Sequence, residues 1–357
     1  MPDPVSQTSF EVVLLDDTAL VQIPVRLAGN EAVTFKETCQ QLLQNGSIPQ
    51  KIIFDFSKTT FIDSSGIGAL VSNHKLARLK EVPLVLRGVL PQVMAVLQMT
   101  ALDKVLAFER RDDFIKPLGG CEEKEPENPW QPEAKSSFWG LFTKEPKVEL
   151  PTTHPSVRSW VKRALDIVGA LVGLGITAVV FIPIAIAIKL DNPGPIFFGQ
   201  IRKGWMGREF RIWKFRSMKV NADEIKAQLE KDNESDGKTF KIKNDPRVTR
   251  VGGFLRKTSL DELPQFWNVL KGEMSLVGTR PPTPNEVDIY EVPEWQRLDV
   301  KPGMTGEWQV HGRSSIRNFE DIIKLDLRYQ QNWSLAYDLK LIFKTILVVL
   351  RKDSGAV

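Results

Sequence analysis

Residues 167 to 188 read IVGALVGLGITAVVFIPIAIAI, 22 consecutive positions without a charged side chain. A bilayer-crossing helix needs ~20 such residues. A helix apolar on every side has two stable settings, a protein core or lipid. All-round apolarity with interspersed glycine favours lipid over a mixed domain. Pro183 lies inside the run, and proline removes one helical hydrogen bond and kinks the helix. Arg158, Lys162 and Arg163 precede the run, and Lys189, Arg202 and Lys203 follow it. Basic flanks prefer the cytoplasmic side. The pattern therefore predicts a kinked helix that enters the membrane and returns, since a straight span satisfies only the length.

A second apolar stretch lies near the C-terminus, LAYDLKLIFKTILVVLRK. Leu335, Leu339, Ile342, Phe343, Ile346, Leu347 and Leu350 fall at helical spacing, with Lys340, Lys344 and Arg351 toward another face. A helix lying on a membrane surface fits this pattern, and so does a core-packing helix.

The chain has 357 residues, long for one domain and comfortable for two. Charge divides unevenly. Up to residue 150 there are 16 Lys and Arg against 20 Asp and Glu; the remainder holds 32 against 24. The basic half predicts anionic partners such as phospholipid or nucleotide. Its cations interleave with membrane segments instead of forming one aromatic-rich stripe, which argues against nucleic acid. Cys39 and Cys121 are the only cysteines, so there is no disulfide framework and a reducing compartment is expected. MPDPVSQTSF has neither a basic start nor an apolar core, so no cleaved signal peptide is expected.

Residues 11 to 110 alternate strand and helix signals. VVLL and VQIPVRL predict a strand pair, residues 33–44 a helix, KIIFDF a buried strand, SSGIGALVSNHKLARL a helix, PLVLRG a strand, PQVMAVLQM a helix and VLAF a last strand. Such alternation predicts an α/β domain with helices against a sheet. In FIDSSGIGAL, Asp63, Ser64 and Ser65 open a helix where Ser and Asp oxygens cap free N–H groups. Residues 116–157 contain Pro117, Pro126, Pro129, Pro132, Pro146, Pro151 and Pro155, with acids clustered at CEEKEPE. That is linker composition, predicting a semi-extended spacer between separate domains. The aromatic patch SSFWGLF within it suits a membrane interface or packing on either domain.

Beyond the linker, basic and acidic motifs crowd together. NPGPIFFGQIRKGWMGREFRIWKFRSM predicts paired strands around GWMGRE, and a charged insert follows at 221–243. TSLDELPQFWNVLKGEMSLVGTRP sets Asp261 beside Glu262 in a turn before Pro264. Arg256, Arg280 and Arg313 sit beside Gly, Pro or turns, and arginine forks suit phosphate oxygens. A solvated turn with surface ion pairs explains any one of these residues, but poorly explains all together.

Two resemblances follow. Around FIDSSGIGAL, roughly residues 10 to 115 resemble the STAS domain, the anti-sigma-factor-antagonist fold. That resemblance implies a regulatory or assembly module in which Ser64 is the residue that accepts phosphate, and a helix N-terminus suits phosphate. Residues 158 to 352 resemble the bacterial sugar transferases, the monotopic polyprenyl-phosphate phosphoglycosyl transferases. The resemblance rests on Lys162-Arg163 with Asp166, on KFRSM, on LRKTSLDELPQFWNVLKGEMSLVGTRP and on KPGMTGEWQVHGR.

It implies transfer of a sugar 1-phosphate from a UDP-sugar to polyprenyl phosphate with magnesium, at the cytoplasmic face of the bacterial inner membrane. Asp261 is implied as nucleophile and metal residue, Glu262 as its catalytic partner that holds the metal or orients the acceptor, and Lys214, Arg256, Arg280 and Arg313 as phosphate binders. Oligomerisation through either domain is compatible with it. Ile182 stands where relatives often carry Ser before the kinking proline, and GTRPP and GEWQVHGR replace commoner variants. The expected organisation is thus a STAS-like α/β domain (1–115), a Pro-rich linker (116–157) and a membrane-associated α+β transferase domain with a re-entrant helix (158–357). The competing reading is a membrane-tethered interaction protein whose transferase half is an inactive scaffold.

Overall fold

A computed structural model describes residues 10–15, 17–44, 48–109, 154–222, 224–225, 245–311 and 318–350. Cys121, the linker up to residue 153 with its aromatic patch, most of the 221–243 insert, Arg313 and Arg351 lie outside the described residues.

The N-terminal half contains strands β1 (Val12–Leu15), β2 (Thr18–Gln22), β3 (Arg26–Leu27), β4 (Lys51–Asp55), β5 (Phe61–Ile62), β6 (Leu84–Arg87) and β7 (Ala107–Phe108). Five of them form a sheet ordered β1-β2-β4-β6-β7, antiparallel at β1–β2 and parallel elsewhere. Ile52, Ile53 and Phe54 of β4 are buried in succession, so both faces of the central strand are covered, as parallel strands require. The predicted second strand is divided: β2 stops at Gln22 and a short β3 pairs with β5 beyond Pro24, because proline cannot donate to a ladder. Helices α1 (Gly29–Gln44), α2 (Ser64–Leu79) and α3 (Pro91–Met99) complete this unit. Helix α1 buries Ala32, Phe35, Cys39 and Leu43, the spacing of one helical face. Asp63 caps α2 by accepting from the Gly66 N–H at 2.9 Å.

The second half is organised by α4 (Trp160–Asp191), one helix of 32 residues that includes Pro183. Only 17% of its most apolar stretch is buried, which rules out a core helix. Both ends of α4 are gripped by one globular unit. At the start, Lys162 Nζ donates to Asp338 Oδ2 (2.6 Å) and the Val277 carbonyl (3.0 Å), and Asp166 accepts from Ser275 Oγ and the Leu276 N–H, both at 2.9 Å. At the far end, Asp191 accepts from the Val251 N–H at 2.9 Å, and Arg216 donates to Asn192. Between them Leu171, Val172, Ile176, Val179, Ile182 and Ile186 are exposed. Lys162 is buried in its ion pair, and Arg163 donates to the Val269 and Leu270 carbonyls. These two flanking cations therefore hold the helix to its domain and are spent on packing, not presented to a membrane surface.

Strands β8 (Phe197–Lys203) and β9 (Glu209–Phe215) form the expected antiparallel hairpin, with its turn at Trp205–Gly207. Helices α5 (Arg250–Lys257) and α6 (Gln265–Lys271) follow, then β10 (Ser275–Val277), a 3₁₀ helix at Val292–Leu298, β11 (Gly303–Thr305) parallel to β10, α7 (Phe319–Gln331) and α8 (Leu335–Leu350). Gly173 lets α4 approach α6, since a Cβ there would lie 2.3 Å from the Phe266 ring. Helix α8 buries Asp338 and Leu341 and exposes Leu339, Phe343, Ile346 and Leu347. One side of the helix thus packs on the core through Leu341 and Ile342, and another side turns four large apolar residues outward.

The two halves are not held apart. Val292, Trp295 and Leu298 belong to the same buried cluster as Phe35, Ile67 and Leu70 of the first domain. The docking surface arises because Val292, Trp295 and Leu298 recur every three residues. In a 3₁₀ helix residues i and i+3 eclipse, which makes an apolar ridge that shares its buried cluster with α1 and α2 of the first domain and with α7.

Candidate active site

The Asp261–Glu262 pair lies on a single 3₁₀ turn, Leu260–Glu262, between α5 and α6. Ser259 precedes it in the left-handed region, φ 57°, a conformation that costs a non-glycine residue ~1 kcal/mol or more and persists where surrounding structure enforces it. Leu260 and Leu263 supply that enforcement by packing against Ile184 and Ile188 of α4, Phe215 of β9 and Leu255 of α5. The apolar residues of the motif thus seat the turn on the long apolar helix, and Asp261 is left 6% exposed.

Two of the sequence-predicted phosphate binders converge there. Lys214 on β9 pairs with Glu262, Nζ to Oε1 at 3.0 Å. Arg256, in the last turn of α5, donates from Nε to Ser217 Oγ at 2.9 Å and feels the charges of Asp261, Asp245 and Glu262. Burial pushes the Asp261 carboxyl up to about 6; the Glu262 charge adds to the rise, while Lys214 and Arg256 oppose it. Neighbouring Asp245 is held below the usual aspartate range: burial acts against this, and the Arg247 guanidinium overcomes it.

Arg280 is placed differently. It forms a two-pronged pair with Glu286 at 2.7 and 3.1 Å and lies 5.6 Å from the Trp308 ring centre. Arg297, fully buried, donates to the Arg280 carbonyl, Tyr290 Oη and Asp326. Arg280 therefore enters the site already neutralised, and a phosphate there must share it with Glu286. Arg202 links the two groups, since its guanidinium interacts with Arg280, Glu286 and Glu262. Sequence reasoning treated Arg202 only as a flank of the apolar run. A signal was available: in the hairpin register Phe198 faces Lys214 and Arg202 lies four pairs away, so strand alternation puts Lys214 and Arg202 on one face.

Ser64 lies at the boundary between the two halves. Its side chain is fully buried against the second half, with Oγ donating to Asp299 Oδ1 or to the Trp295 carbonyl, both at 2.6 Å, and its N–H donating to Asp299 at 3.1 Å.

Magnesium, implied by the resemblance, asks for oxygen ligands. Among the described residues no group of three or more His, Cys, Asp or Glu side chains converges. Asp261 and Glu262 fit an ion held by one or two carboxylates with substrate phosphate and water supplying the rest, as Mg²⁺ commonly is.

Fold and site together define a two-domain α/β protein whose carboxylate-and-cation centre sits against a long apolar helix. Residues 157–352 match the bacterial sugar transferase family and residues 9–113 the STAS domain. The chain belongs to the bacterial sugar transferase family and carries a STAS domain at its N-terminal side.

It is similar to the galactosyl transferase CpsE of Streptococcus agalactiae serotype III (strain NEM316), 52% identical over 189 residues, 53% of this chain and 42% of that protein. The exopolysaccharide production protein ExoY of Rhizobium meliloti (strain 1021) is 41% identical over 189 residues, 52% of this chain and 83% of that protein. The UDP-glucose:undecaprenyl-phosphate glucose-1-phosphate transferase of Escherichia coli (strain K12) is 43% identical over 203 residues, 55% of this chain and 41% of that protein. The chain spans less than half the length of the first and third of these relatives. A crystal structure of an anti-sigma factor antagonist from Thermotoga maritima, described as putative, shares 23% identity and covers 28% of this chain and 84% of that one, with a TM-score of 0.25.

Proposed function

We propose that this chain transfers a sugar 1-phosphate from a UDP-sugar to a polyprenyl phosphate, releasing UMP, as the first membrane step of surface-glycan assembly. The observation that carries the reading is Asp261: a buried carboxylate on a rigid turn, beside a second acid, with Lys214 and Arg256 within electrostatic reach. The names of the E. coli and Streptococcus relatives point the same way.

The chemistry divides into two displacements. An Asp261 carboxylate oxygen attacks the phosphorus next to the sugar, and the bond to the UMP oxygen breaks, so UMP leaves with that electron pair. A polyprenyl phosphate oxygen then attacks the same phosphorus and frees the Asp261 carboxylate, giving the polyprenyl diphosphate sugar. A covalent intermediate spares two anionic substrates a direct encounter. Lys214 and Arg256 draw the diphosphate in and lower the repulsion between it and Asp261; Arg280 and Arg202 belong to the same cationic set, and Arg313 is assigned a phosphate by the resemblance alone. Glu262 keeps Lys214 oriented and offers a further metal oxygen. Magnesium, when bound there, would screen the diphosphate from the carboxylates.

Attachment of both ends of α4 to one globular unit supports a re-entrant helix at the cytoplasmic face, and the outward apolar residues of α8 support a second surface contact. Ser64, buried against Asp299, accepts phosphate only when the two domains part, which makes it a regulatory residue of the open form. The test is incubation of the purified full chain with a panel of UDP-sugars and polyprenyl phosphate, reading UMP. One sugar should support turnover, and Asp261→Asn should abolish it; wild-type turnover by that variant would reject Asp261 as nucleophile.

A further inference from the structure

Helix α2 presents Ser64 and Gly68 to the second half of the chain. Gly68 faces the Trp295 ring so closely that a Cβ would lie 2.5 Å from it. On its other side Trp295 approaches Gly207, in the β8–β9 turn, at 3.1 Å from where a Cβ would be. Trp295 is thus wedged between the first domain and the hairpin. Met206, in the same turn, joins the shared buried cluster. Lys75 reaches Asp288 at 2.6 Å, and Lys36 pairs with Glu291.

The two elements touched by the first domain are the two that carry the site's cations. Residues 284–299 supply Glu286, which holds Arg280, and Arg297, which holds the Arg280 carbonyl. The hairpin carries Arg202 and Lys214. Each element has one other support: β9 packs on α4 and α6 through Phe210, Ile212 and Phe215, and residues 292–298 bond to α7 through Arg297–Asp326 and Gln296–Gln330, while the Trp205–Gly207 turn and Trp295 meet the first domain. A two-stranded ribbon and a 3₁₀ helix are weak structures alone.

We propose that the N-terminal domain is a positioning module docked in cis, in which Ser64 and Gly68 clamp Trp295 and Asp299 and thereby set Arg280, Arg202 and Lys214 for substrate phosphate. Ser64, Gly68, Trp295 and Asp299 are positioning residues and touch no substrate. This inference rests on the phosphate-binding role proposed above for the three cations.

Two variants of the full chain separate docking from folding. Gly68→Leu introduces a side chain with no room beside Trp295, while leucine favours the helix over glycine by most of 1 kcal/mol. Ser64→Asp sets a carboxylate against Asp299 and still suits the first turn of α2. Both keep α2 and should part the domains. In nanodiscs, hydrogen exchange of residues 278–299 should rise in each variant, with KM for the UDP-sugar up at least ~10-fold and kcat changed much less. Pairing Ser64→Asp with Asp299→Asn removes one of the opposed charges and should restore both protection and KM. Unchanged exchange, or raised exchange with wild-type KM, overturns the proposal, as does a paired variant that regains protection without regaining KM. If the wild-type chain turns over no UDP-sugar, the functional reading fails separately. Exchange across 278–286 then decides: protection there that survives undocking of 292–299 overturns the proposal, and its loss upholds it.

Discussion

Asp261 carries two opposed demands, and pH separates them. Its carboxyl is raised from 3.8 to about 6, chiefly by burial, so the folded state holds a proton that the unfolded state has released between those values. Stability therefore falls as pH rises from about 4 to about 6, whereas attack on phosphorus needs the ionised form. The acid limb of kcat/KM should fall near pH 6. Replacing Lys214, whose charge holds the Asp261 carboxyl down, by Met should move that limb upward. Asp261→Asn should raise the thermal midpoint at pH 7.5 and lose that advantage below pH 4, while turnover drops about 10³-fold or more.

Asp299 shows the same sign at the domain boundary. Loss of water there and the Asp63 charge push it up to about 7, so docking should weaken as pH rises from about 4 to about 7. Exchange protection of 284–299 against pH measures this, and Asp299→Asn should flatten the profile. Glu286→Gln should cost about 2 kcal/mol in a melt, because Arg280 loses a charged hydrogen-bond partner.

Among the elements, those with a strong period were legible. SSGIGALVSNHKLARL and PQVMAVLQM coincide with α2 and α3, because a capping residue or Pro fixes each start and burial repeats along each length. The 3₁₀ turn bearing Asp261 is too short for any period; its motif revealed it, and its apolar neighbours explain its position. The ridge of Val292, Trp295 and Leu298 went unread because a spacing of three without four looks like an irregular helix, and its covering surface lies more than two hundred residues away in sequence. Arg280 looked like a free phosphate binder because Glu286, six residues on, resembled an ordinary surface acid. At α4, single cysteines in place of Trp160 and Asn192, with Cys121 replaced by Ser, should both label only from the cytoplasm in intact cells. Label from the periplasm at either position contradicts the re-entrant reading. Gly173→Leu should push α4 off α6 at a cost of about 1–3 kcal/mol, seen as a lower melting point in detergent.

For the whole molecule, composition marked two domains and an apolar helix, and specific motifs marked the acid pair. Docking between the domains could not be read, since a Pro-rich linker describes a tether and says nothing of the surfaces it joins. A chain beginning at Pro155 would leave Val292, Trp295 and Leu298 without the cover of α1 and α2. It should melt lower than the full chain, aggregate on heating and bind UDP-sugar more weakly, instead of retaining full chemistry as a separate unit would.

The central claim, that Asp261 forms a bond to the sugar phosphate, is tested most directly by intact-mass and peptide mapping of the full chain mixed with its UDP-sugar in the absence of polyprenyl phosphate. The account predicts one sugar-phosphate adduct on the peptide containing Asp261, formed together with UMP, lost when polyprenyl phosphate is added and absent in Asp261→Asn. An adduct on another residue, or UMP release by Asp261→Asn at the wild-type rate, contradicts it.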